Sequence, residues 1–276
     1  MRLLHKTVRR ENTLLQDKKI WITGASSGIG KALAIELSNY DAYLILSARS
    51  MDKLQQTKSS LAYPDQAEIA VLDMSIADQI DSITKKILKQ HGHIDILINN
   101  AGISQRSLTL ETDMDVYRKL MSINYFGVIQ MSKILLPSMV AMKSGHIITI
   151  TSVNGKLGSY MKSGYAGSKH ALHGFFDSLR AEIDGSGVDI TLIAPGYVQT
   201  DISMNALTKD GTPQKSMDSN TAKGIPVEVF AKKAVKQIAK GKAEIAIAGG
   251  IESLGLYMKR FWPSLLRKLT AGRKEA

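Results

Sequence analysis

Two side chains that could act together on one ligand lie four residues apart in the segment Tyr165-Ala166-Gly167-Ser168-Lys169. On a helix, this spacing places the Tyr165 phenol and the Lys169 ammonium on one face, within reach of a single ligand. A neighbouring ammonium favours the phenolate and lowers the tyrosine pKa toward the range where acid–base catalysis works. Ser152 follows an earlier apolar run and could hold a substrate oxygen beside the phenol. Such a trio suits chemistry between a carbonyl and an alcohol, although a tyrosine and a lysine at this spacing also occur on many helix surfaces.

A glycine-rich turn, Thr23-Gly24-Ala25-Ser26-Ser27-Gly28-Ile29-Gly30, is the second candidate site. It follows an apolar run and precedes a helical stretch, and a turn in this context aims helix N–H groups at a pyrophosphate. Its spacing, Gly-x-x-x-Gly-x-Gly, differs from the more common Gly-x-Gly-x-x-Gly fingerprint. We therefore predict that a dinucleotide binds here, and the expected binding residues are Gly24, Ser26, Ser27, Gly28, Ile29 and Gly30.

The end of the second apolar run indicates which dinucleotide is bound. An acidic residue at this place would accept hydrogen bonds from a ribose 2′-hydroxyl, but the chain reads Ser47-Ala48-Arg49-Ser50. Arg49 and Ser50 can instead hold a 2′-phosphate, which favours NADP over NAD. The alternative is a surface arginine that packs on the adenine.

Two more segments follow predicted strands and fall beside the expected path of the cofactor. Asp73 could accept a hydrogen bond from the adenine amino group, or it could cap the helix that begins near Ser75. In Asn99-Asn100-Ala101-Gly102, the small side chains leave room for a ribose against the backbone. The predicted cofactor residues here are Asp73, Met74, Asn100, Ala101 and Gly102.

The elements that must position these residues alternate along the chain. Short apolar runs are followed by stretches of helical periodicity, which predicts an α/β fold with a doubly wound parallel sheet of seven strands. The predicted strands are 19–23, 43–48, 68–72, 94–98, 146–151, 189–193 and 244–248, and the predicted helices are 28–39, 51–60, 76–90, 113–142, 163–182 and 227–240. Ligands of such sheets bind beyond the carboxyl ends of the strands, where the candidate residues fall.

Composition and charge exclude several classes of protein. The 276 residues contain no cysteine, which excludes disulfides, thiolate metal sites and cysteine nucleophiles. The net charge of +11 lies at the ends: residues 1–20 carry six basic and two acidic side chains, residues 228–276 carry eleven and four, and the remainder carries nineteen of each. A nucleic-acid-binding face on the body is therefore not indicated. The six histidines form no convincing ligand set with carboxylates, so we expect no metal site.

Taken together, the glycine turn, Asn-Asn-Ala-Gly, Ser152 and the Tyr165/Lys169 pair resemble the motifs of the short-chain dehydrogenase/reductase family, over about residues 18–249. The resemblance implies a single-domain Rossmann-like fold and an oxidoreductase in which Tyr165 is the general acid–base. It implies that Lys169 holds the ribose hydroxyls and that Ser152 orients the substrate carbonyl. It also implies that the backbone of Asn124 keeps a water behind Lys169, whereas the residues alone make Asn124 only a polar residue in a long helix.

The same resemblance extends to the segment after the sixth strand, and it implies that Pro195, Gly196, Val198 and Thr200 contact the cofactor, with Thr200 on the nicotinamide carboxamide. Ser-Ala-Arg-Ser resembles the NADP-preferring branch, which includes hydroxysteroid-dehydrogenase-like members. We therefore expect NADP(H) as the cofactor and a carbonyl or secondary alcohol on a hydrophobic, lipid- or steroid-like molecule as the substrate. A homodimer or homotetramer is a further implication of the family. An NADP-binding sensor or membrane-associated scaffold without turnover is the alternative.

Two segments outside the motifs carry apolar residues. The connection 201–226 either covers the substrate or is simply plugged onto the body by its apolar side chains. Segment 251–269 repeats apolar residues at spacings of three or four, with basic residues largely apart from them, and Pro263 interrupts it. It lies in a membrane interface, or it packs on its own domain or on a second subunit.

These features divide the chain into a basic N-terminal extension (1–17), an NADP-binding catalytic domain (18–250) and a basic amphipathic C-terminal extension (251–276). No run of residues approaches the roughly 18 apolar residues that span a bilayer, and residues 1–19 lack the apolar core of a secretory signal. We therefore expect a cytoplasmic protein, peripheral at a membrane surface if the C-terminal segment binds lipid.

Overall fold

The computed structural model describes residues 14–270, in which seven parallel strands form one sheet. In chain order the strands are β1 Lys19–Thr23, β2 Tyr43–Ser47, β3 Ala67–Ile69, β4 Ile96–Asn99, β5 Gly145–Ile150, β6 Val188–Pro195 and β7 Glu244–Ile247. Their order across the sheet is β3-β2-β1-β4-β5-β6-β7. The predicted doubly wound parallel sheet is confirmed, and its strand order reverses between β1 and β4, where such sheets open a crevice for ligands.

Helices cover both faces of this sheet. They are α1 Gly28–Leu37, α2 Met51–Ser59, α3 Ala77–His91, α4 Met114–Met121, α5 Gly127–Ala141, α6 Ser163–Glu182, α7 Ser219–Ala222, α8 Val227–Ile238, α9 Gly250–Phe261 and α10 Pro263–Thr270. Neighbouring residues of a strand point to opposite faces, so Ile20 and Ile22 join the core under α1 and α8 while Trp21 joins the core on the other side. Burial on both faces explains why central strands such as β1 and β4 are apolar over most of their length, whereas β7 at the edge of the sheet alternates exposed and buried residues.

The helix that the sequence predicts over 113–142 is interrupted. A π-helical turn, Ser122–Phe126, separates α4 from α5, and it contains the fully buried Asn124. Such a turn holds one residue more than an α-helical turn and occurs often at functional sites. The extra residue also changes the direction of the side chains at this turn, and Asn124 contacts Ile103, after β4, and Ser168 in α6.

The C-terminal segment forms α9 and α10, which meet at Pro263 as predicted. Within the described stretch 250–270 no side chain is buried, and Ile251 is 84% exposed and Trp262 60% exposed. Across residues 14–270, no helix combines the length and apolar character that crossing a membrane requires. The N-terminal extension predicted for residues 1–17 falls largely outside the described residues, as does the tail 271–276.

Candidate active site

A cavity of about 680 Å³ lies at the carboxyl ends of the central strands. Its wall contains nearly all of the predicted site residues, namely Gly24, Ser26, Ser27, Gly28, Ile29, Arg49, Ser50, Asp73, Met74, Asn100, Ala101, Gly102, Ser152, Tyr165, Lys169, Pro195, Gly196, Val198 and Thr200. The two other predicted residues, Gly30 and Asn124, lie behind this wall and support it. Seven separate segments of the chain therefore meet at one cavity.

The glycine turn forms the floor of the cavity and shows why glycine is needed there. Gly24 and Gly28 have φ values of 67° and 51°, in the left-handed region that residues with a side chain rarely adopt. A Cβ on Gly30 would lie 2.2 Å from the Gly24 carbonyl oxygen, so only glycine lets α1 begin this close to the turn. The first N–H groups of α1 thereby form a cradle that fits a pyrophosphate.

The end of β4 is fastened to this turn by Thr23, a residue that the sequence analysis missed. Its Oγ1 accepts hydrogen bonds from the backbone N–H groups of Asn100 (3.0 Å) and Ala101 (3.1 Å). The Asn100 side chain in turn donates from Nδ2 to the Thr23 carbonyl at 2.9 Å. The Asn100 amide thus holds two strand ends together, and its predicted place at the cavity wall follows from this structural bond.

At the end of the cavity where the sequence predicts the adenosine, the exposed Arg49 lies at the wall together with a second cation, Lys53. Lys53 was also missed, although its place in the first turn of α2 was the available signal. Ser50 caps α2 by accepting a hydrogen bond from the Lys53 N–H at 3.4 Å. Asp73 Oδ1 accepts from both the N–H and the hydroxyl of Ser75, so this carboxylate shapes a local turn while also lining the cavity.

Asn124 connects the segment after β4 to the helix α6. Its Oδ1 accepts from the Ile103 N–H at 2.9 Å, and its Nδ2 donates to the Ile103 carbonyl at 2.9 Å and to Ser168 Oγ at 3.0 Å. Ser168 precedes Lys169, whose ammonium donates to the Ile150 carbonyl at 2.9 Å. The side chain of Asn124 therefore fixes the part of α6 that carries the lysine.

Burial controls the electrostatics of Tyr165 and Lys169. It raises the pKa of Tyr165 above the ordinary value of 10.0, because desolvation disfavours the phenolate, and a hydrogen bond with Ser152 acts in the opposite direction. Burial also lowers the pKa of Lys169 to about 8. The expected lowering of the tyrosine pKa by the lysine is therefore not what the structure shows. The Lys169 ammonium lies 6.0 Å from the centre of the Tyr165 ring and donates to a carbonyl of β5.

Gln105 holds the start of α6, the helix that carries Tyr165 and Lys169. The sequence analysis missed this residue as well. This fully buried side chain accepts hydrogen bonds at Oε1 from the N–H groups of Gly164 (2.7 Å) and Tyr165 (3.3 Å). Its Nε2 donates to Ser107 Oγ at 3.1 Å. Since the first N–H groups of a helix need partners from outside the helix, Gln105 performs the role of a cap from 59 residues away.

The connection 201–226 is fixed to the body beside the active site. Leu207 exchanges backbone hydrogen bonds with Ser104 and Arg106, and the Arg106 guanidinium pairs with the Asp218 carboxylate at 2.7 Å. Leu207 belongs to a buried apolar cluster with Val116, Leu120 and Tyr165, an arrangement that the interpretation as a plug predicts for this residue. A smaller cavity of about 70 Å³ lies between this connection and Tyr165, and Arg106 and Lys162 are in its wall.

The histidines do not assemble into a metal site in the part of the chain that the structure describes. Across residues 14–270, no three His, Asp or Glu side chains come together in a way that could hold a metal ion. His173, on the helix face where His170 also lies, is 3.3 Å from the Glu244 carboxylate.

Comparison with known proteins gives relatives along the whole chain. The family described as short chain dehydrogenase matches residues 18–211. Dehydrogenase/reductase SDR family member 7B of Danio rerio is 39% identical over 281 residues, which cover 99% of this chain and 90% of the relative. A metagenomic short-chain oxidoreductase solved in complex with NADP is 26% identical, with a TM-score of 0.70 over 84% of this chain and 97% of that chain. A short chain dehydrogenase/reductase from Burkholderia phymatum solved in complex with NAD is 22% identical and shares the fold, with a TM-score of 0.81 over 91% and 95% of the two chains.

Proposed function

Because the chain belongs to the short-chain dehydrogenase/reductase family of nicotinamide-dependent oxidoreductases, we propose that it interconverts a carbonyl and a secondary alcohol with NADP(H). The observation that carries this proposal is that Ser152, Tyr165 and Lys169 line the same cavity as the glycine turn. Proton transfer and nucleotide binding are thereby brought to one place. A bound nicotinamide would supply or accept the hydride.

Each catalytic side chain has a role that follows from its surroundings. Tyr165 gives a proton to the carbonyl oxygen or takes it back, and its raised pKa keeps the phenol protonated and ready to donate. Ser152, which is hydrogen-bonded to that phenol, orients the same oxygen. Lys169 holds the ribose hydroxyls, and Asn124 keeps α6 in place behind it.

Preference for NADP is supported by two cations at the adenosine end. Arg49 and Lys53 both line the cavity there, and the second strand ends without a carboxylate that would repel a 2′-phosphate. Arg49→Asp should weaken NADPH binding far more than NADH binding in a fluorescence titration. Equal losses of affinity for NADPH and NADH would refute the proposal that Arg49 holds the 2′-phosphate.

Turnover distinguishes the enzyme from the alternative, an NADP-binding sensor or scaffold. We expect NADPH oxidation with a panel of steroid, acyl-chain and small polar carbonyls, and NADH serves as the comparison cofactor. Tyr165→Phe should abolish turnover and leave the dissociation constant for NADPH almost unchanged, because the phenol acts on the substrate oxygen. Retained turnover would refute the role of Tyr165, and tight cofactor binding without turnover of any compound would favour the sensor.

The proposed class of substrate, a lipid- or steroid-like carbonyl compound, is supported by exposed apolar side chains that lie within two residues, along the chain, of residues in the cavity walls. Tyr160, Met204 and Met217 are 40%, 38% and 43% exposed. Nearer to the reacting atoms, the wall of the smaller cavity is polar and includes Arg106 and Lys162. The apolar part of the substrate therefore lies toward the surface, and its polar end lies beside Tyr165.

We also propose that α9 and α10 bind the surface of an anionic membrane. Their exposed apolar residues include Phe261 and Trp262, and basic residues such as Lys259 and Arg260 supply the complementary charge. The double variant Phe261→Ser, Trp262→Ser should no longer sediment with anionic vesicles. Unchanged sedimentation would show that this surface does not bind the membrane.

The expected homodimer or homotetramer stays a prediction, which light scattering would test.

A further inference from the structure

One carboxylate, that of Glu252, ties the C-terminal helix α9 to the loop that follows β6. Its Oε1 accepts a hydrogen bond from the Tyr197 N–H at 2.7 Å, and its Oε2 accepts one from the Gly249 N–H at the start of α9. Tyr197 lies between Gly196 and Val198, both of which line the large cavity. The contact therefore joins the wall of the cavity to a helix 55 residues further along the chain.

The loop is shaped to admit this carboxylate. A Cβ on Gly196 would lie 2.6 Å from Glu252 Oε1 and 2.9 Å from the Ala248 Cβ, distances at which one of the groups has to move. Gly196 does not have a positive φ, so backbone conformation does not demand glycine here. The close approach of Glu252 is thus the physical reason for a glycine at this position.

The other side of the loop is held by the segment before α8. Ile225 donates its N–H to the Tyr197 carbonyl at 2.9 Å and accepts a hydrogen bond from the Gln199 N–H at 3.0 Å. With Glu252 bound to its N–H, Tyr197 has both backbone polar groups paired, which fixes the loop in one orientation. The loop continues to Thr200, whose side chain would be 3.2 Å from a Cβ on Gly28 of the glycine turn.

We propose that Glu252 is a positioning residue for the cofactor, because it fixes the loop 195–200, which forms the cavity wall beside the glycine turn. This inference rests on the proposed function, since it takes the cavity as the site of a nicotinamide dinucleotide. It makes the start of the C-terminal extension, two residues beyond the boundary that the sequence predicts at residue 250, part of the support of the binding site. Helix α9 then supports the site from outside.

The test compares the whole cofactor with its adenosine half. Glu252→Gln in the full chain keeps the size of the side chain, but the amide cannot accept hydrogen bonds from both N–H groups. We expect the dissociation constant for NADPH to rise about tenfold, since a hydrogen bond to a charged group is lost. The dissociation constant for 2′,5′-ADP, which reaches only the predicted adenosine end, should change less than about twofold. This is the size of change expected when a substitution does not interact with a distant binding site. Glu228→Gln, an exposed glutamate in the first turn of α8, is the matched control and should leave both constants unchanged.

The outcomes separate this inference from the proposed function. Unchanged NADPH affinity in Glu252→Gln would overturn the inference alone, and so would an equal loss for both ligands, which indicates general destabilisation. Wild-type protein that binds neither ligand would overturn the proposed function together with it. If Glu252→Gln does not fold, Glu252→Asp replaces it, because the shorter side chain keeps the charge but withdraws the carboxylate from the Tyr197 N–H.

Discussion

Replacing Gln105 by leucine tests how the start of α6, the helix that carries Tyr165 and Lys169, is held. Leucine has nearly the same size, but it leaves the Gly164 and Tyr165 N–H groups in a buried place without their acceptor. An unsatisfied buried donor costs about 1–3 kcal/mol. The bond to Gly164 is 2.7 Å long and should contribute most of this, and the bond to Tyr165 is weaker at 3.3 Å. We therefore expect the free energy of unfolding to fall by about 2–4 kcal/mol.

The same substitution should affect catalysis, because Tyr165 lies in the turn that Gln105 holds. Displacement of a catalytic group by about 1 Å can reduce the rate about a hundredfold. We expect a decrease of this size in kcat, with the dissociation constant for NADPH changed much less, since Gln105 is not among the residues that line the large cavity.

Urea unfolding and steady-state kinetics measure the two effects. Gln55→Leu, at an exposed position of α2, is the control and should stay within about 0.5 kcal/mol of the wild type. If Gln105→Leu unfolds at the same urea concentration as the control and retains its kcat, Gln105 does not hold the helix and the reasoning fails.

Three further predictions use other parts of the site. Lys169 has its pKa lowered to about 8 in the folded chain, below its ordinary value of 10.5, so the unfolded chain binds more protons between these values and stability should rise with pH there. Urea unfolding at pH 8 and pH 10 should show this rise, and Lys169→Met should remove it. Asp218→Ala removes the carboxylate that pairs with the half-buried Arg106 at 2.7 Å and should cost about 1.5–3 kcal/mol, with faster hydrogen exchange in 201–218 as the measurement. Gly30→Ala should abolish NADPH binding in a titration, whereas Gly167→Ala, where a Cβ would meet open space, should leave it intact.

Local patterns were sufficient to predict the elements and the motifs. The 163–182 helix has the bounds that its periodicity predicts, and the break at Pro263 is where a proline must interrupt the backbone hydrogen bonds. Strands buried on both faces have an unmistakable apolar sequence. These features depend on residues close in the chain, and so a single sequence reveals them.

Long-range contacts were not predictable in the same way. Gln105 and Glu252 act on backbone groups 59 and 55 residues away, and neither has a local motif that would identify it. The π-helical turn at Asn124 keeps a helical pattern of apolar residues, which is why the sequence predicts one unbroken helix there. The direction of the Tyr165 pKa shift depends on burial, which the spacing to Lys169 does not reveal.

The large cavity is built from residues between Thr23 and Asn205, so it exists only when most of the sheet is assembled. A partly unfolded chain would not hold the dinucleotide. Binding therefore stabilises the complete fold relative to partly unfolded (open) states. At one hundred times its dissociation constant, a ligand of this kind adds about 2.7 kcal/mol of stability. Proteases cleave open states, so a cell rich in the cofactor would keep each copy of the chain longer. Supply of the dinucleotide would thus govern the lifetime of the protein as well as its rate of turnover.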